Sequence, residues 1–113
     1  MRKIIGLFFI AFSLLSSCAA PEMVKLNVDY QTDGALAHFA NKDTFDYNDV
    51  DIEINDTYKV HVDKIPAGET YTVALRDFVD GDQRLNIITT QVQKIDMLVE
   101  TAKGTGFESW SKK

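Results

Sequence analysis

Apolar and polar residues alternate strictly over Val50, Ile52 and Ile54 against Asp51, Glu53 and Asn55. The alternation stops at Asn55-Asp56-Thr57 and resumes with Tyr58, Val60 and Val62 against Lys59, His61 and Asp63. A period of two puts successive side chains on opposite faces, as a half-buried strand requires. Asn and Asp tolerate tight backbone angles, so the interruption reads as a turn. The two runs predict an antiparallel hairpin. Ile52 and Val60 then lie inside, and Asp51 and Glu53 face Lys59 or His61 on the solvent side.

The same period recurs through most of the chain. Val24, Leu26, Val28 and Tyr30 predict a first strand, and Thr32-Asp33-Gly34 a turn. Residues 35–40 predict a second strand, with Phe39 and His38 on opposite faces. Ile65-Pro66-Ala67-Gly68 fits a type I turn. Residues 69–75 predict a strand with Tyr71, Val73 and Leu75 inward. Phe78 and Val79 lead into the Asp80-Gly81 turn. Two further strands are expected, one over residues 84–90 around Leu85, Ile87 and Ile88, the other over 91–101 with Ile95, Met97 and Val99 on one face. Residues 103–106 are expected to break regular structure, leaving a tail with Trp110.

Six to seven short strands at near-regular spacing, without a capped helical segment, define an all-β chain. The expected fold is an antiparallel β-sandwich of the immunoglobulin or fibronectin type III kind. A small β-barrel is the alternative. The domain should span residues 23–113, after a segment of different character.

That segment begins with the positive Met1-Arg2-Lys3. An apolar run over residues 4–15 follows, then Leu15-Ser16-Ser17-Cys18. The layout is that of a secretory signal, and the run is short of the ~20 apolar residues that span a bilayer. Leu15-Ser16-Ser17-Cys18 resembles the lipobox of bacterial lipoproteins. The resemblance implies a signal peptide over residues 1–17 and a lipidated tether over 18–22. It also implies a diacylglycerol thioether on Cys18, whose amine can carry a fatty acid such as palmitate. Two or more acyl chains anchor a protein stably, whereas one does not. Location in the cell envelope, outside the cytoplasm, follows from the same resemblance. Ala19 resembles the signal for outer-membrane sorting in bacteria with two membranes.

Cys18 is the one cysteine, so the domain must fold without a disulfide. Removing residues 1–17 takes away Arg2 and Lys3 and leaves 96 residues with 10 bases against 17 acids, a net charge of −7. That excess disfavours nucleic acid, which needs basic patches. Serine outside the signal occurs only as Ser109 and Ser111, and the histidines His38 and His61 fall on separate strands. A Ser-His-Asp or Cys-His arrangement is not expected. No cofactor is implied beyond the covalent lipid.

The working surface is expected in the loop over residues 41–49. Phe45 and Tyr47 there sit among Asp43, Asp46 and Asp49, an aromatic pair in an acidic rim suited to a basic protein or peptide. Trp110 joins them if the tail folds back. The opposing expectation is that Phe45 and Tyr47 cap the core. Asp77, Asp80 and Asp82 around Gly81 are candidate calcium ligands, although they miss the EF-hand spacing. Asn41, Phe45, Asn55, Tyr58, Ile65-Pro66-Ala67-Gly68-Glu69 and Phe78 resemble uncharacterised small β-sandwich surface domains of bacteria, and import no function. The leading expectation is a lipid-anchored, non-catalytic binding or accessory module that contacts a protein or peptide. An envelope-acting inhibitor or phage-exclusion lipoprotein is second, and a hydrolase with a carboxylate site third.

Overall fold

A computed structural model describes residues 23–112 of the chain. The expected signal, Cys18 and the tether lie outside the described residues. Ten strands run in the order β1 (Val24–Lys25), β2 (Val28–Asp33), β3 (Leu36–Asn41), β4 (Tyr47–Ile54), β5 (Tyr58–Ile65), β6 (Thr70–Ala74), β7 (Val79–Asp80), β8 (Gln83–Arg84), β9 (Lys94–Thr101) and β10 (Gly104–Ser111). A single 3₁₀ turn, Leu75–Asp77, follows β6. Seven of the strands have five residues or more, and the other three are two-residue pieces at sheet margins.

The strands form two sheets, ordered β1-β10-β9-β4-β5-β7-β8 and β2-β3-β6. Every pairing is antiparallel except β1 on β10. The chain crosses between sheets from β3 to β4 and again from β5 to β6, the crossing of an immunoglobulin-type sandwich. Both sheets keep free edges, so the barrel alternative is excluded.

The inner faces supply the core that the alternation predicts. Val50, Ile52 and Ile54 of β4 are fully buried beside Ile95, Met97 and Val99 of β9. Phe39, Ala37 and Val73 cover them from the smaller sheet. Each such side chain contributes roughly 1.5–3 kcal/mol of transfer free energy. Val60 and Val62, expected inside, are half-buried. The smaller sheet has three strands against seven, so it does not reach over all of β5.

Turn chemistry follows local sequence. Asn55 and Asp56 both take positive φ, 54° and 58°, and Thr57 N donates to Ile54 O at 3.0 Å. This is a type I′ hairpin turn, matched to the twist of its strands. The next turn differs from expectation. Glu69 N donates to Pro66 O at 3.0 Å and Gly68 has φ 79°. The turn is type II with Pro66 first and Gly68 third, where φ must be positive.

Two further expectations are corrected. Residues 84–90 are not a strand: β8 stops at Arg84, and β9 begins only at Lys94. The tail is not peripheral. Residues 102–103 turn, and β10 pairs with β9 along its whole length, from Gly104 opposite Thr101 to Ser111 opposite Lys94. Gly106 there is required by packing. A Cβ on it would lie 2.5 Å from the Leu26 side chain, so its absence lets β1 and residue 26 seat on β10.

Candidate interaction site

The connection from β3 to β4 was the expected site, and its polar groups are turned inward. Asn41 is 1% exposed and uses both ends of its amide. Its Nδ2 donates to Phe45 O and to Ile65 O, both at 3.0 Å, and its Oδ1 accepts from Asp43 N at 2.9 Å. Asp43 Oδ2 accepts from Asn27 N at 2.9 Å and from the Tyr47 hydroxyl at 2.6 Å. Asp46 Oδ1 accepts from Ala67 N at 2.9 Å, and its Oδ2 lies 3.8 Å from Lys64 Nζ. Buried backbone and amide groups must be paired, and here side chains of the loop itself do the pairing.

Tyr47 is therefore core, at 0% exposure. Burial pushes its phenol well above the ordinary tyrosine range, and the neighbouring Asp43 carboxylate adds to this. Phe45 is half-buried, its ring 6.1 Å from that of Tyr47 and beneath Lys103 Nζ at 5.2 Å. Asp49 stands apart, exposed, with φ 47° at the irregularity in the β4–β9 pairing. Trp110 packs against Tyr30 and Phe39, with centroids at 5.5 and 6.1 Å, near the opposite end of β10 from Lys103. Six residues of strand, about 20 Å, separate Gly104 from Trp110. The structure thus does not bring Phe45, Tyr47, Asp43, Asp46, Asp49 and Trp110 together as one exposed patch.

The calcium candidates are not gathered either. Asp77 pairs with Arg84 at 3.3 Å, and Asp80 and Asp82 flank the exposed β7–β8 turn. Among the described residues, the acidic trio whose oxygens lie within 4.8 Å of one another is Glu53, Asp56 and Asp96. Lys94 Nζ stands 3.1 Å from Asp56 and 3.5 Å from Asp96, and Lys59 Nζ lies 3.8 Å from Glu53. Two ammonium groups thus already pair with the three carboxylates. The histidines fall on different sheets. His38 bonds Thr72 Oγ1 at 2.8 Å. His61 sits between Asp51 at 2.8 Å and Asp63 at 3.4 Å. The Asp51 hydrogen bond holds the His61 pKa above its ordinary value.

The most exposed large apolar side chain lies elsewhere. Ile88 is 89% exposed and Ile87 46% exposed, on the connection between β8 and β9. Both ends of this connection are pinned. Leu85 is buried, and its N donates to Phe78 O at 2.9 Å. Asn86 Oδ1 accepts from Ile88 N at 2.9 Å, and Asn86 O from Thr90 N at 2.9 Å. At the far end, Asn55 Nδ2 donates to Gln91 O at 2.9 Å, and Asn55 Oδ1 accepts from Gln93 N at 2.7 Å. Val92 packs against the core. An ordered tip thus carries two isoleucines into solvent. Sequence reasoning placed both on a strand. The available signal was Asn86, a turn former, before two adjacent apolar residues that alternation cannot place on one face.

Strand directions set these features in order. Met23, the β9–β10 turn and the β3–β4 connection share one end of the sandwich, with Val24 opposite Gly106. The β2–β3 turn and the β4–β5 turn share the other, and both anchors of the Ile87-Ile88 connection lie there: Leu85 through Phe78 and Leu75 to Ala35, and Gln91 and Gln93 on Asn55.

The fold and this surface define a class: a small all-β sandwich with an ordered apolar tip opposite the end where the chain enters. Neither a protein-family model nor any curated protein matches the chain.

Proposed function

We propose that this chain is a lipid-anchored, extracytoplasmic, non-catalytic module of the bacterial envelope, and that it works by contacting a protein partner through the Ile87-Ile88 tip. The observation that carries the contact is the display of two isoleucines on a connection whose backbone is fixed by Asn86 and Asn55. Burying Ile88 in a partner's apolar pocket is worth roughly 1.5–3 kcal/mol, and the half-exposed Ile87 about half as much. Little entropy is lost, because the tip is ordered beforehand. The Leu15-Ser16-Ser17-Cys18 motif supports the anchor.

The test uses the full chain expressed in bacteria. Ile87→Ser with Ile88→Ser should keep the melting temperature, because neither side chain packs in the core. The same double variant should lose the envelope protein that the unsubstituted chain captures after crosslinking. Retained capture would remove the tip from the binding surface. Cys18→Ala should release the protein from membranes. If the protein stays membrane-integrated at precursor mass, the apolar run is itself the anchor.

A further inference from the structure

We infer that the corner formed by Met23, Lys25, Lys103 and Phe107 rests on the bilayer and orients the anchored domain with its Ile87-Ile88 tip outward. The inference rests on lipidation of Cys18 as proposed above. The first observation is reach. Cys18 precedes Met23 by five residues, so a fully extended tether spans at most about 17 Å. Whatever surrounds Met23 is therefore held near the headgroups.

The second observation is that the root of the tether is fixed. Val24 and Lys25 pair with Gly106 and Phe107, and Leu26 sits where a Cβ on Gly106 would collide. Val24 packs against the core, so alternation sends Lys25 to the outside beside Phe107, and Met23, one residue before Val24, lies at the level of Thr105. Met23 is 58% exposed and Phe107 42% exposed. Lys25 is exposed next to them, and Lys103 is exposed in the adjoining β9–β10 turn.

Two apolar side chains and two lysines suit a bilayer interface. The apolar groups enter the acyl boundary, and the ammonium groups stay with the phosphates. Glu100 accepts from Thr105 Oγ1 at 2.9 Å, and Glu108 is half-buried. On the outer sheet face Leu98 stands between Phe107 and Asp51, and Asp51, Glu53 and Asp96 line one groove with Phe107. A bilayer fits the corner better than it fits the whole sheet face, where those carboxylates would be desolvated.

The experiment uses the full-length lipidated protein in vesicles of equal phosphatidylethanolamine and phosphatidylglycerol. Phe107→Trp and Ile88→Trp are compared, with Trp110 retained in both and its signal subtracted. Bromine-labelled acyl chains quench tryptophan only at short range. The Phe107→Trp protein should be quenched several-fold more than the Ile88→Trp protein. Equal quenching, or the reverse order, overturns the inference. So does a Phe107→Trp fluorophore shielded from water but not quenched, because a second copy or another protein would then cover the corner.

Intact mass separates this failure from failure of the anchor. If Cys18 carries no lipid, the proposed anchoring falls. The orientation is then read on the same five-residue tether after coupling Cys18 to a maleimide lipid.

Discussion

The β3–β4 and β8–β9 connections invert each other. The first is rich in Asp and Asn, and the residues that bound it, Asn41 and Tyr47, are among the most completely buried side chains. The second contains Ile87-Ile88, which face solvent. Composition alone ranks them the other way round. The deciding quantity is where each connection's polar groups find partners. In the first, Asn41, Asp43 and Asp46 bond to backbone and to Tyr47 within the sandwich end, which lets the loop close over the core. In the second, Asn86 and Asn55 bind the backbone and leave Ile88 almost wholly and Ile87 about half in solvent. Polar side chains can thus bury a loop, and they can also hold an apolar one out.

The largest effect should separate the two connections directly. Tyr47→Ala removes a fully buried ring and should cost about 3–5 kcal/mol, a fall in melting temperature of roughly 15 °C or more for a domain of this size. Ile88→Ser should stay within about 0.5 kcal/mol, as exposed substitutions do. Thermal melts of both variants decide it, and the opposite ranking would break the comparison.

A smaller effect compares the two asparagines. Asn41→Ala leaves Phe45 O and Ile65 O without their donor and should cost about 1–3 kcal/mol. Asn55→Gly keeps the positive φ while removing the side-chain bonds to residues 91, 93 and 94. It should cost only about 1 kcal/mol. Denaturant titration gives both values. Hydrogen exchange should show the Asn55→Gly loss confined to the Gln93 and Lys94 amides.

The smallest effect lies outside both connections. The folded pKa of His61 is raised, so its pairing with Asp51 stabilises the fold fully below the ordinary histidine value near 6.5. That contribution is lost as pH rises through the folded value. Asp51→Asn should flatten the dependence of melting temperature on pH across this window. The Asp63 carboxylate on the other ring nitrogen should leave a residual slope. An unchanged slope would show that the His61–Asp51 pair does not set this dependence.

The sandwich was legible wherever alternation and turn chemistry agreed. β4, β5 and their turn appear as read, because Val50, Ile52 and Ile54 have one face to bury and Asn55-Asp56 accepts positive φ. β9 was legible from Ile95, Met97 and Val99. β10 was missed because Gly104-Thr105-Gly106 reads as a breaker. Its glycines instead admit Leu26 and complete the sheet edge. The 84–90 strand was overread because Leu85, Ile87 and Ile88 are apolar, although only Leu85 enters the core. The expected site was misplaced for the same reason: burial of a loop depends on partners distant in the chain, such as Asn27 for Asp43 and Ala67 for Asp46.

By itself, the sequence determined the all-β class, the β4–β5 hairpin and the inward faces of the central strands. Side-chain direction alternates residue by residue along a strand, and a one-residue slip would expose the whole apolar set. It also carries the Leu15-Ser16-Ser17-Cys18 motif on which the proposed anchor rests. Only the tertiary structure decided which connection is core and which is surface. It also decided that Trp110 and Phe45 lie near opposite ends of β10, and that Lys25 lies beside Phe107. These are relations between residues remote in the chain, set by sheet order and by hydrogen bonds that close only when the two sheets pack together.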